Sequence, residues 1–440
     1  MQTASKKVIN GWAMYDWANS VYNLVITTTF FPIYFIAITK SAYGENSVPF
    51  LGRTFKNSSL YDYSLAFAYL VIALLLPILS SIADSRGNKK RFMQFFCYMG
   101  GLGCSSLFFF KGNHPSVLLG IGCFVIAAIG FIGSLVFYNS YLPEIAAPED
   151  RDRVSAKGFT MGYIGSVLLQ AIGFGLVLYF QGKNDDTSGP LYTFLLVGIW
   201  WIGFAQITFA TLPKSLPAVE KHSKNAIAEG FKELSKVWQQ VKKLSVLKRF
   251  LFGFFFYSMG VQTVMLAATI FGSKVLHLPD TKLIITVVLI QLVAIAGAII
   301  MSKLSSKYGN LKVLMGVVIF WIFICMAAYI VALMAEKGAN AEYPFYVLAI
   351  AVGLVMGGIQ SLSRSTYSKL MPVTRDTASY FSFYDVTEKI AIVIGIFSFG
   401  FIDERLGMKN SVLSLILFFV IGWIGLSLAS QKQKSSLQAN

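Results

Sequence analysis

Two groups of polar residues set inside long apolar runs carry whatever chemistry this sequence performs. In the first run Asp16, Asn19, Asn23 and Thr27 fall within an arc of about 80° at 100° per residue, a polar stripe down one helix face. A carboxylate at bilayer depth costs roughly 2.5–3.5 kcal/mol, so one that persists faces a cavity or a partner. The stripe reads as the wall of a cavity that binds a solute or a proton. The competing reading is that Asp16, near the start of its run, only snorkels to the interface. In a late run Asp385, Glu388 and Lys389 stand at i, i+3 and i+4 and share a face. Asp385 and Lys389 can pair within the helix, which leaves Glu388 in excess. A carboxylate in excess beside one base can exchange a proton, as coupling to a proton gradient requires. The triplet is either that device or a structural ion pair locking two helices.

Other polar residues at the same depth are Asn139, Gln170, Gln206, Gln262, Gln291, Gln360 and Arg364. A lone glutamine is usually glue between helices. Asn139, Gln170 and Gln360 are nevertheless placed with the cavity, and Arg364 with the charged triplet as a latch. Gly158, Gly162 and Gly165 suggest close helix packing. The four cysteines form no CxxC pair and His114, His222 and His277 are scattered, so neither a disulfide nor a metal site is expected. There is no GxxxxGK[ST] loop for a nucleotide and no HExxH or GxSxG in a plausible context. No enzyme and no cofactor are expected.

The elements that must position these residues are membrane helices. Of 440 residues, 55% are hydrophobic and 13% charged, about half the charged share of a soluble domain, and mean hydropathy is +0.63. The 37 Lys and Arg against 21 Asp and Glu lie between apolar runs, where they orient helices, so nucleic acid is not the partner. Runs long enough to span a hydrocarbon core of about 30 Å fall near 9–38, 61–83, 92–111, 117–139, 159–181, 191–212, 249–273, 282–302, 312–335, 344–362, 379–401 and 410–430. The basic loops favour cytoplasmic N- and C-termini. Lys6 and Lys7 precede an apolar run without a small-residue cleavage site, so the first helix is expected to stay.

The chain repeats. Pro148, Arg151, Asp152 and Ser155 match Pro372, Arg375, Asp376 and Ser379 at an offset of 224, and Gly87, Asn88 and Lys90 match Gly309, Asn310 and Lys312 at 222. Both matches fall in loops after the second and fourth spans of each half. An all-α membrane protein of twelve transmembrane helices follows, in two parallel six-helix pseudo-repeats (residues 1–212 and 248–440), which is the major facilitator plan. Between them, in 213–247, Ile227, Phe231, Leu234, Trp238 and Val241 form one apolar stripe beside Lys224, Lys232, Lys236, Lys242 and Lys243, an amphipathic helix on the membrane surface.

Two stretches carry resemblances. Ala83-Asp-Ser-Arg-Gly-Asn-Lys-Lys90 resembles the major facilitator signature between helices two and three, with Asp84, Arg86, Gly87 and Lys90 as the cytoplasmic gate motif; Ser80 replaces a glycine and Asn88 a base. Gly11-Trp-Ala-Met-Tyr-Asp-Trp-Ala-Asn-Ser20, Phe31-Pro-Ile-Tyr34, Phe137-Tyr-Asn-Ser-Tyr-Leu-Pro-Glu144, Gln360-Ser-Leu-Ser-Arg-Ser365 and Phe381-Ser-Phe-Tyr-Asp-Val-Thr-Glu-Lys389 are similar to the vacuolar effluxer family named for its autophagy-related fungal members. Glu388 departs from a small residue expected there. The resemblance implies that spans 1, 4, 7 and 10 line the cavity and that the solute is small and polar, an amino acid as in the fungal members. The expected protein is a monomeric secondary transporter of a bacterial inner membrane, whose partners are the solute, protons and the lipid bilayer. A non-transporting sensor or scaffold and a lipid flippase are the alternatives.

Overall fold

Lipid offers no hydrogen-bond partner to a backbone amide, so apolar runs of this length must satisfy their N–H and C=O groups within helices. The computed structural model describes residues 2–44, 47–112, 114–214 and 226–438. The first half holds α1 (Lys6–Tyr43), a short hairpin of β1 (Val48–Phe50) and β2 (Arg53–Phe55), α2 (Asn57–Arg86), α3 (Lys89–Ser106), α4 (Val117–Ser140), α5 (Arg151–Gln181) and α6 (Ser188–Thr211). The linker forms α7 (Ala226–Lys243). The second half holds α8 (Ser245–Lys274), α9 (Asp280–Tyr308), α10 (Asn310–Glu336), α11 (Glu342–Leu370), α12 (Thr377–Leu406) and α13 (Met408–Gln438).

Among the described residues ten helices are long and apolar enough to cross a membrane, or up to eleven if the bent pair Ser235–Lys243 and Ser245–Met265 is one span. That falls short of the expected twelve. The long helix left out is α12, in which Asp385, Glu388 and Lys389 set three charged residues close together.

The helix pairings of the first half recur in the second. α1 packs on α5 and α6 as α8 packs on α12 and α13, and α3 packs on α4 and α6 as α10 packs on α11 and α13. Gly87 and Gly309 end α2 and α9 with φ of 62° and 88°, values open to glycine at little cost, so the matched glycines end matched helices although ψ is 32° at one and 145° at the other. The halves meet along α2 and α4 against α12, and along α5 against α9 and α11.

The N-terminus, the turns at 87 and 309, the linker helix and the end of α13 share one face, the linker face. There Thr3 bonds Asp150, Tyr380 bonds Gln240 and Arg249 bonds the Leu428 carbonyl. α7 meets the following helix at 112° and packs against α2, α12 and α8. It buries Val237 and Val241 and stacks Trp238 on Phe383. The side chains of Ile227, Phe231 and Leu234, and residues His222 and Lys224, lie outside the described residues.

α1 widens to π-helical winding over Tyr22–Phe30, just before Pro32. Proline supplies no N–H to the carbonyl five residues back, and the Tyr61 hydroxyl donates to Thr27 O at 2.6 Å. The Thr28 and Thr29 hydroxyls both donate to Leu24 O.

Candidate functional site

Asp16 sits on the buried face of α1, and its partner comes from the other half of the chain. Arg364, on α11, sets Nη1 and Nη2 each 3.2 Å from Asp16 Oδ2; the side chains are 6% and 4% exposed. Nη1 also donates to Asn139 Oδ1 at 3.1 Å, Nε to Ser155 Oγ at 2.9 Å and Nη2 to Ser155 O at 2.8 Å. The guanidinium lies 4.3 Å from the Phe159 ring centre, 4.9 Å from Trp12 and 5.5 Å from Tyr138. The Tyr138 hydroxyl donates to Asp16 Oδ2 at 2.8 Å, and Trp12, stacked on Tyr138, donates to its carbonyl. One planar cation with five donors meets this many acceptors because its N–H groups form a rigid fork.

The approach depends on Gly158. A Cβ there would overlap Asp16 Oδ2 and lie 2.9 Å from both Arg364 Nη2 and the Tyr138 hydroxyl. Gly158→Ala is therefore expected to push the carboxylate off the guanidinium, costing about 1–3 kcal/mol for overpacking. A fall in melting temperature and in solute flux, with Gly175→Ala (open space around its Cβ) as the silent control, checks this.

Two further latches close the linker face. At one, Asp84 accepts from Ser379 N at 2.8 Å, Ser379 Oγ at 2.9 Å and Ala378 N at 3.2 Å, so an acid from α2 caps the N-terminus of α12. Lys89 bonds Glu144 and donates to Thr377 Oγ1 at 2.5 Å, and Thr377 donates to Glu144 at 2.7 Å. At the other, Asp152 of α5 accepts from Lys369 Nζ at 2.6 Å, Asn310 Nδ2 at 2.6 Å and Ser305 Oγ at 2.8 Å. Beside it Arg151 donates to Ser368 O at 2.6 Å and Ser155 Oγ to Ser361 O at 2.8 Å.

The sequence motif placed Asp84, Arg86, Gly87 and Lys90 at this gate. Asp84 and Gly87 sit in it. Arg86 is exposed, and Lys90 donates to Leu212 O within its own half. The basic residue that reaches across is Lys89, because the Gly87 turn points it inward. Lys89, Glu144, Asp152, Asn310, Lys369, Tyr138 and Ser155 were not singled out from sequence as site residues. Asp152, Ser155 and Asn310 carried a usable signal, since all three belong to the internal repeat.

On α12 the charges pair differently from the i, i+4 expectation. Lys389 bonds Glu388 at 2.9 Å instead of Asp385, Gln262 Nε2 lies 3.3 Å from Glu388 Oε1, and the Lys389 ammonium stands 5.8 Å from the Tyr69 ring of α2. Asp385 is buried. Arg364, assigned to this latch from sequence, directs its hydrogen bonds among the described residues to Asp16, Asn139 and Ser155 instead, where four acceptor atoms match its fork of N–H groups.

Of the other candidates, Asn139 meets Arg364, and Gln170 bridges Thr29 and Gln291 across the halves at 3.0 Å each. Among the described residues Gln360 bonds only Met265 Sδ, at 3.2 Å. Asn23 is half-buried. Asn19, a turn from Asp16, is fully buried with neither amide atom partnered among the described residues. Unsatisfied buried amides are rare and costly. Among the described residues no group of three metal-ligating side chains occurs.

Two helical bundles with repeated pairing, joined by buried charge across their seam, define a membrane transporter of the major facilitator type. Solved structures agree on the fold: a bacterial homologue of the iron transporter ferroportin in an outward-facing state (TM-score 0.69, 13% identity, 97% of this chain and 98% of that one), and the transporter FucP in the outward conformation (0.67, 14%, 96% and 98%). The chain belongs to the vacuole effluxer Atg22-like family, whose model matches residues 4–151 and 147–440. It is 31% identical to the MFS-type transporter YxiO of Bacillus subtilis over 97% of this chain and 96% of that protein. It is 23% identical to autophagy-related protein 22 of Saccharomyces cerevisiae over 94% and 89%.

Proposed function

We propose that this protein is a monomeric secondary transporter that moves a small polar solute, an amino acid, by alternating access coupled to protons. The halves, residues 1–212 and 248–440, rock about a midplane site while 213–247 tethers them. The linker face is cytoplasmic, as the basic loops imply, and the membrane is a bacterial inner membrane. The observation that carries the reading is the Asp16–Arg364 pair: its members come from opposite halves, so it can exist only while the linker face is shut. Asn19 and Asn23 continue the same face of α1 away from the gate, and the unpartnered Asn19 amide supplies a donor and an acceptor for solute. Gln170 and Gln360 border this path.

Glu388, with Lys389 and Asp385, is the coupling group. It sits on α12 where that helix meets α8 through Gln262 and α2 through Tyr69. Counterflow of amino acids in proteoliposomes tests the whole; no exchange of any amino acid would refute it. Glu388→Gln is expected to retain counterflow while losing accumulation driven by a pH gradient, and accumulation at the wild-type level would return the triplet to a structural role.

A further inference from the structure

The groups that hold Arg364 all belong to the other half of the protein. Trp12 and Asp16 come from α1, Tyr138 and Asn139 from α4, Ser155 and Phe159 from α5. Among the described residues the four atoms within hydrogen-bond distance of the guanidinium all accept from it: Asp16 Oδ2, Asn139 Oδ1, Ser155 Oγ and Ser155 O. Three aromatic rings lie 4.3–5.5 Å from the same carbon. Together they make a receptor for a planar or compact cation, built entirely on the N-terminal half and filled by a side chain from the C-terminal half.

We infer that this aromatic-and-carboxylate box is a binding site for the primary ammonium or guanidinium group of the transported solute, with Arg364 standing in for it while the linker face is closed. The inference rests on the alternating-access reading above. When the halves part on that face, Arg364 leaves with α11. Asp16 is then a buried carboxylate without its cation, at a cost of several kcal/mol. A proton could neutralise it, but a neutral carboxyl gains nothing from the rings. A cation gains from each ring face, up to about 2 kcal/mol when desolvated, and from all four acceptors. Solute and Arg364 thus compete for one site. A cationic solute stabilises the open linker face, and its departure lets the pair re-form.

Chemical rescue tests this on the full-length protein. In Arg364→Ala, methylguanidinium chloride is expected to raise the melting temperature saturably, and about threefold more than its neutral isostere N-methylurea at equal concentration. Methylammonium chloride should act in the same direction, and sodium chloride should not. The effect should vanish in Arg364→Ala with Asp16→Asn. Equal responses to methylguanidinium and N-methylurea, or a response that survives Asp16→Asn, would overturn the inference. Arg364→Gln, which keeps most of the side-chain volume, is run alongside. Should neither variant fold alone, the yield of folded protein purified in methylguanidinium against N-methylurea reads the same comparison, and equal yields overturn the proposal. Binding is measured without flux. A box that fills in a protein showing no amino-acid exchange keeps the cation site and removes both the transport reading and the solute's place in it; exchange without filling removes the box alone.

Discussion

Arg364→Ala is expected to open the linker face and to lower solute flux at least about 100-fold. Removing one member of a buried, hydrogen-bonded ion pair costs about 3–5 kcal/mol, because the other charge stays buried. The pair exists only in the closed arrangement, so that cost falls on one side of the conformational equilibrium, and 2.7 kcal/mol is already about 100-fold. Arg364→Lys should be nearly as damaging, since an ammonium cannot present the fork that reaches Asp16, Asn139 and Ser155 together. Asp16→Asn should shift the equilibrium the same way while leaving folded protein in the membrane. Spin labels at Arg86→Cys and Lys307→Cys, exposed on opposite halves of the linker face, provide the readout. The distance between them should lengthen in each variant. Unchanged distance distributions, or wild-type flux in Asp16→Asn, would remove the pair from the transport cycle.

The second large effect concerns the two outer latches. Asp84→Asn keeps the shape of the side chain but removes the charge that caps α12, and one amide oxygen cannot serve all three donors from Ala378 and Ser379. Asp152→Asn likewise forfeits the Lys369 ion pair. Each loss is worth about 1–3 kcal/mol for a buried group left partly unsatisfied. The latches share no residue, so their effects should add. The double variant is therefore expected to spend most of its time open on the linker face, whereas each single variant shifts the same label distance only in part. A double variant no more open than either single one would show that one latch alone holds the gate.

Much of this architecture was legible in the residues. Offsets of 222 and 224 placed the repeat, and Gly87 and Gly309 now end corresponding helices. The stripe through Asp16, Asn19 and Asn23 pointed to one face of α1, and that face is where Arg364 binds. What one sequence could not supply was the partner. Asp16 and Arg364 are 348 residues apart, and local spacing holds no information about which acid a distant arginine will meet. On α12 the i, i+4 rule paired Lys389 with Asp385, whereas the adjacent Glu388 takes it and Gln262 and Tyr69, which the rule does not see, arrive from α8 and α2. Lys89 was passed over for Arg86 because a motif gives an order of residues and not the phase in which a turn delivers them. The run at 379–401 stands out from the other spans by the very charges that made it noticeable.

The seam between the halves has a polarity whose consequence lies outside transport. Among the described residues, the ion pairs that cross it set Asp16 and Asp152 of the N-terminal half against Arg364 and Lys369 of the C-terminal half. Lys89, paired with Asp84 and Glu144 in its own half, and Arg151 reach across only to Thr377 and the Ser368 carbonyl. Two bundles of one shape could in principle pair with their own kind while the chain is being inserted. Here an N-terminal bundle facing its copy would leave Asp16 and Asp152 without their cations, and a C-terminal bundle would leave Arg364 and Lys369 without their acids, buried unpaired charges that cost several kcal/mol. Partner choice is thus written into the surfaces themselves and does not depend on the tether. Halves expressed as separate polypeptides, tagged differently, should recover each other from a mixed membrane and leave their own copies behind.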